Sequence, residues 1–277
     1  MFDRKIQRIA LGDDVVVAVS RRDESEPAAY SMRRTGPDAH HAARNIADFA
    51  GRVGFDVNRL VMPRRWPHLG RVMVVSNDDL VPDPVSGLNP NLPKADKPGF
   101  EHSCDGLITM AHGLYLGAQG ADCPMLYLYD SVLGIIGAIH CGWKPVAQHI
   151  VTTAVRQFEW LGSNPMNIRA FVSAGAGDNV YEFAIDDASR LLLEAQGRVA
   201  DFEALMAPHG TKPGTKVLRL NALVVHDLTR AGVPLSNILC DWRSCIEDPT
   251  LHSYRRDGGP DMATSLHGLG IGVIFLN

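Results

Sequence analysis

No apolar run in this chain approaches the ~18 residues needed to cross a membrane, and glycine breaks the longest ones. The N-terminal stretch MFDRKIQRIALGDDVVVAVS is charged early and lacks the apolar core of a signal peptide. Charge of one sign is also missing. Twenty-seven Lys and Arg against 31 Asp and Glu leave a formal net charge of −4, which gives no support for a nucleic-acid or membrane-surface partner. Cysteine is scarce. The five present are an odd number without the spacing of a compact disulfide framework, and are expected to be reduced thiols in a cytoplasm. There is no internal repeat. What remains is an ordinary balance, 45% hydrophobic and 21% charged over 277 residues, enough for a substantial core.

The periodicity places the elements coarsely. VVVAVS (15–20) is β-branched and reads as a strand. DAHHAARNIADFAGRV (38–53) has apolar residues at helical spacing behind an Asp that could cap it. RLVMPRRWPHLGRVMVVSN reads as strand, break, strand. The proline-rich stretch 82–100 is expected to be a loop or insertion, and a lid over a pocket is a reasonable role for it. Helices are expected at 149–162, in DDASRLLLEAQG and at 221–233; strands are expected in IRAFV and in GIGVIFLN at the C-terminal end. Strands and helices mix throughout, which predicts one α/β or α+β domain over 1–277.

The stretch ADCPMLYLYDSVLGIIGAIHCGW (121–143) poses the chemical question. It reads as two paired apolar strands, with Asp122 and Cys123 at its start and His140 and Cys141 at its end. Burying such groups without partners is costly, and a bound ion would compensate them. Cys123 and His140 stand 17 positions apart. That is too far for one helical turn and fits the facing ends of paired strands.

Four motifs then stand in order: ADCPMLYLYD (121–130), AIHCGW (138–143), YEFAID (181–186) and HSYRRDGG (252–259). Together they resemble the YfiH family, also labelled laccase-domain or polyphenol-oxidase-like, with the match running from about residue 60 to the C-terminal end. The resemblance implies mixed β-sheets with helices packed around them. It also implies a zinc site of His, Cys and His, and an activity of purine nucleoside phosphorolysis with adenosine deamination and action on methylthioadenosine. The Cys and second His carry over onto Cys123 and His140. The first His carries over onto His68, where Trp66 and Pro67 replace the family's usual flanks. SAGAGDNVYE and HCGWKP also depart from the family pattern, at the positions expected to bear on substrate.

Two histidines and a cysteine would leave one zinc position open, as catalytic rather than structural sites do, and a metal-bound water is acidified towards neutrality. Cys123, His140 and His68 are thus the candidate catalytic and metal-binding residues. A nucleoside and phosphate also need a positive group. Arg255 and Arg256 in SYRRD are candidates, with Arg64 and Arg65 before His68. An extended SYRRD would aim only one of its two arginines at the pocket. Asp122, next to Cys123, should face the other way and act as an ordering carboxylate or as a strand-end cap. Trp143 and Tyr181 could stack on a purine or belong to the core. Asp105 and Thr109 are expected to be structural, and Cys104 and Cys141 to be plain buried thiols.

Two other readings compete. Cys123 and His140 could be a nucleophile–base pair in a cysteine hydrolase; His68 discriminates, since a dyad does not need it. A copper oxidase is disfavoured, because the 11 histidines contain no His-x-His pair. A partner-binding protein without activity is the remaining alternative. The expected assembly is a monomer or small homo-oligomer.

Overall fold

The computed structural model describes residues 3–33, 39–63, 70–77, 104–207, 215–258 and 270–276. His68, Arg64, Arg65, Trp66, Pro67, Asp38 and the 82–100 loop lie outside the described residues. In chain order the strands are β1 (Ile6–Ala10), β2 (Val15–Ser20), β3 (Leu60–Val61), β4 (Val72–Val74), β5 (Gly106–Thr109), β6 (Tyr115–Gly120), β7 (Met125–Asp130), β8 (Ile135–His140), β9 (Ile168–Val172), β10 (Glu182–Phe183), β11 (Met206–Ala207), β12 (Lys216–Leu218), β13 (Ile238–Cys240) and β14 (Gly270–Leu276). The helices are α1 (Ala39–Val53), α2 (Trp143–Ala147), α3 (Ile150–Trp160), α4 (Asp187–Ala195), α5 (Val199–Ala204), α6 (Leu220–Arg230) and α7 (Tyr254–Asp257).

Two large mixed sheets lie face to face. One has the order β1-β2-β14-β6-β3 and the other β13-β9-β7-β8-β5-β4, with a small β10-β12-β11 sheet beside them. Val15, Val17, Leu116, Ala118 and Ile274 of the first sheet meet Leu107, Tyr127, Ile136, Ala138 and Phe171 of the second in one buried layer. The outer face of the first sheet is covered by α1. Its Ile46, Phe49, Ala50 and Val53 recur at helical spacing and pack on Ile271, Val273 and Phe275. The outer face of the second sheet is covered by α3 and α6, through residues such as Val151, Val155, Phe158, Leu223 and Val224. The result is a helix–sheet–sheet–helix stack, which realises the expected mixed α/β class.

Burial on both faces explains why β7, β8 and β14 read as near-continuous apolar runs rather than alternating ones. The C-terminal strand β14 sits in the middle of its sheet, between β2 and β6. β1, β6, α5 and the small sheet have no counterpart among the sequence expectations. They are short or polar enough to lack a period of their own. No helix among the described residues is long and apolar enough to cross a membrane.

One close approach fixes the spacing of the two sheets. Tyr127 is fully buried between them, and its hydroxyl lies 3.4 Å from Met125 Sδ. A Cβ at Gly272 would fall 2.0 Å from that hydroxyl oxygen, so β14 can pass only as glycine. Gly272→Ala should lower unfolding free energy by about 1–3 kcal/mol through overpacking, read from urea denaturation. Adding Tyr127→Phe, which removes the clashing oxygen, should recover part of the loss.

Candidate metal and substrate site

The site is built by the β7–β8 hairpin. The two strands pair antiparallel with Met125 opposite His140. His140 has the parity of Ile136 and Ala138, whose side chains enter the layer between the sheets. Cys141 has the opposite parity and enters the apolar core under α3 and α6, as a plain buried thiol. Two backbone bonds pin the hairpin end: the His140 amide donates to Asp105 O at 2.7 Å, and the Cys141 amide to Pro124 O at 2.9 Å. Thr109 donates to Val75 O, so this neighbourhood of β5 is structural as expected.

Cys123 reaches the same place from the other strand. The chain turns sharply before β7, with Asp122 in the left-handed region at φ 73°. A Cβ built on Gly142 would lie 3.3 Å from Cys123 Sγ, 3.1 Å from His140 Cε1 and 3.5 Å from His140 Nε2. The sulfur and the imidazole nitrogen therefore lie within 3.5 Å of the same point beside Gly142, where any side chain would crowd them. Sulfur and nitrogen meeting over a bare glycine suit a zinc ion. Among the described residues no group of three His, Cys, Asp or Glu side chains could hold a metal. Cys123 and His140 are two members of the expected set, and His68 lies outside the described residues.

The surroundings of the Cys123 sulfur bear on both the metal and the dyad readings. Cys123 is part-exposed as a residue, yet burial of its sulfur, reinforced by Asp122, pushes the thiol up to about 12, and Arg255 opposes this only weakly. A self-activated nucleophile needs the opposite shift. A bound cation would supply it, since coordinating thiols deprotonate outright.

Asp122 points away from Cys123, towards the C-terminal motif. Its Oδ2 accepts from the Arg255 amide at 2.7 Å, and Ser253 Oγ accepts from the Arg256 amide at 3.0 Å. Burial nevertheless pushes the Asp122 carboxyl upward. Through its bond to the Arg255 amide it anchors the turn that carries Arg255. The expectation of an extended SYRRD is corrected here: residues 254–257 form a helical turn behind Ser253, because a serine at the cap position favours one. The two arginines splay. Arg255 is exposed, its guanidinium carbon 4.6 Å over the Tyr181 ring and its Nη1 donating to Glu182 O at 3.0 Å. Arg256 turns inward and donates to the carbonyls of Cys245, Asp248 and Leu251 at 2.7–2.8 Å. Tyr181 is buried and continues through Phe183 to Trp143 in an aromatic row, with ring centroids 6.3 and 5.1 Å apart.

Residues 25–276 match the family model described as multi-copper polyphenol oxidoreductase laccase. The chain belongs to this laccase-domain, or YfiH, family. Similar curated proteins include a purine nucleoside phosphorylase of Corynebacterium glutamicum, 32% identical over 56% of this chain and 58% of that protein. Another is a purine nucleoside phosphorylase of Deinococcus radiodurans, 32% identical over 60% of each. The chain thus spans somewhat under two thirds of the length of these relatives. Adenosine deaminase RL5, from an unknown prokaryotic organism, is 27% identical over 80% of this chain and 79% of its own. Among solved structures, YlmD of Geobacillus stearothermophilus superposes with a TM-score of 0.78 at 22% identity, covering 100% of this chain and 98% of that one. YfiH of Bacillus licheniformis does so at 0.76 and 24%, covering 95% and 93%.

Within the laccase-domain frame, the structure brings Cys123, His140, Asp122, Arg255 and Tyr181 to one end of the hairpin. Sequence reasoning missed four supporting residues. Gly142 leaves open the space beside Cys123 and His140. Ser173 accepts from the Met125 amide at 2.9 Å, and Asn221 donates to Ser173 O at 2.9 Å. The signal was the small-residue run SAGAG after β9: a Cβ at Gly175 would lie 2.1 Å from Asn221 Oδ1 and 3.3 Å from Pro124. The last is His252, buried just before the α7 turn. Burial, helped by Arg22, drives its pKa down to about 3, with Asp257 opposing.

The arginines and His252 give two stability predictions. Arg256→Ala should cost roughly 2–3 kcal/mol, since three carbonyls lose a charged donor, while Arg255→Ala should stay within about 0.5 kcal/mol in the same urea titration. His252 is neutral in both states above its ordinary value of 6.5. Below that the unfolded chain takes a proton that the fold refuses until about 3, so stability falls as pH drops through this window. Between pH 7 and 5 the wild type should lose about 2 kcal/mol more than His252→Phe. Equal losses would show that His252 titrates normally in the fold.

Proposed function

We propose that this chain is a zinc-dependent purine nucleoside enzyme, cleaving adenosine, inosine, guanosine or methylthioadenosine with phosphate and deaminating adenosine alongside. The observation that carries the reading is the convergence of Cys123 Sγ and His140 Nε2 over Gly142, at the position where the family resemblance puts a His-Cys-His set. The names of the similar proteins, phosphorylases and a deaminase, support the substrate class. One thiolate and two imidazoles suit zinc, and the sequence lacks the His-x-His pairs of laccase-type copper sites.

In this reading Cys123, His140 and His68 hold the metal. Zinc bound there would acidify a water or polarise a phosphate oxygen. Arg255 is the exposed cation beside the site, and its guanidinium can grip phosphate with two donors. Its seat on Tyr181 and on the Glu182 carbonyl holds it over the aromatic row, and Trp143, at the end of that row, offers a face to a purine. Asp122 holds the backbone of Arg255 and so sets the distance between anion site and metal site. Arg65 is a second candidate cation.

Elemental analysis tests the reading first. Purified wild type should carry close to one zinc per chain, falling severalfold in His68→Ala and Cys123→Ser. Phosphate-dependent release of hypoxanthine from inosine should fall about 100-fold in both variants. Wild type without metal, or full zinc in His68→Ala, would overturn the three-ligand site. A fast-alkylating Cys123 in the metal-free protein would put the cysteine hydrolase in its place.

A further inference from the structure

Behind Asp122 and Cys123, between the two sheets, lies a chamber of about 30 Å³ lined among others by Ser20, Ser173 and His252. Gln7 and Asp241, both on its lining, belong to a polar bridge from one sheet to the other. Gln7 of β1 donates to Asp241 Oδ2 at 3.2 Å and accepts from Arg243 Nη2 at 2.5 Å. Two polar groups on the chamber are unsatisfied. His252 is 4% exposed, and neither ring nitrogen has a hydrogen-bond partner among the described residues. The Tyr30 backbone lies near its ring but outside hydrogen-bonding geometry. Asp122 is 6% exposed; the Arg255 amide takes Oδ2 and the Ser253 hydroxyl and Tyr254 amide lie near the carboxylate, but Oδ1 has no partner in hydrogen-bonding geometry among the described residues. Buried groups left in this way cost roughly 1–3 kcal/mol each, and native structures rarely tolerate them without water.

The chamber's lining is largely apolar, but Ser20, Ser173, Asp122 and His252 bring polar groups to it, and it has room for roughly two waters. The Ser20 hydroxyl accepts from the Ile271 amide and keeps its own proton to give to a water. We propose that the chamber binds ordered water, and that this water ties His252 to Asp122 Oδ1 and fixes the turn carrying Arg255. His252 stands one residue before the Ser253 cap and three before Arg255. Asp122 stands one residue before Cys123. Water held between them braces both the metal-side turn and the anion-side turn. His252 is on this account a positioning residue, touching neither substrate nor metal. The positioning half rests on the function proposed above; the hydration half does not.

A high-resolution crystal structure of the wild type decides the hydration half. Ordered waters within hydrogen-bond distance of a His252 nitrogen and of Asp122 Oδ1 are expected; a dry chamber overturns it. Kinetics with inosine and phosphate decide the positioning half. His252→Phe, which fills the chamber, should raise KM for phosphate about tenfold while zinc content and kcat stay near wild type. His252→Gln, which can still bond water, should restore KM to within about twofold. His252→Leu replaces the phenylalanine variant if that does not fold. An unchanged KM in the apolar variants overturns the positioning role. Wild type inactive towards nucleosides would instead count against the proposed function, and the crystal structure would still decide the chamber.

Discussion

The alignment of β7 with β8 is the constraint on which the site depends. With Met125 opposite His140, the imidazole falls between the sheets and Cys141 falls under the helices. A slip of one residue would exchange them, because side chains alternate along a strand. Such a slip is expensive here, since both faces of the hairpin are buried. Tyr127 and Ile136 would have to leave one core, and Leu126 and Ile139 the other. The packing of two apolar layers therefore sets where the sulfur and the nitrogen meet.

The second constraint is the turn that brings Cys123 to that meeting point. A non-glycine residue at φ 73° is uncommon, and Asp is among the few that adopt it readily. Asp122 also accepts the Arg255 amide at 2.7 Å, which offsets some of the strain. One residue thereby has two effects. It turns the chain so that Cys123 faces His140, and it anchors the helical turn that presents Arg255 over Tyr181. Cys123 and the turn carrying Arg255 are thereby linked through a single peptide unit, which neither motif would suggest alone.

The legible parts of this molecule were those with a period or a fixed motif. VVVAVS, the α1 pattern and the apolar hairpin declared themselves, because burial on one or both faces leaves a mark on composition. Cys123 and His140 were legible through ADCP and HxGW. The fate of SYRRD was not: the pattern gives the arginines but not the serine cap that makes the segment helical. Nor was the role of Gly142, since a glycine's function lies in what approaches it. His252 was invisible for the same reason. Nothing along the chain shows that its ring sits between two sheets joined by strands over a hundred residues apart. β1 and β6 escaped because Arg8, Gln7, Gly117 and Gly120 interrupt any apolar alternation.

The two ends of the hairpin show what sets the functional end apart. At the far end Asp130 is fully buried and closes the turn by accepting from the Val132 and Leu133 amides and from the Ser163 hydroxyl. Both of its oxygens are used, and that end is a structural knot. At the near end Asp122 performs the same capping chemistry with one oxygen, and its other oxygen has no partner in hydrogen-bonding geometry among the described residues. Beside it burial pushes the Cys123 thiol up and the His252 imidazole down. A fold able to satisfy one aspartate completely has not done so at the other. Stability alone would favour closing those gaps with apolar side chains. Similar gaps occur at Asp178, Arg198 and His226, so what sets this end apart is that its gaps lie beside a sulfur and an imidazole that approach the same point.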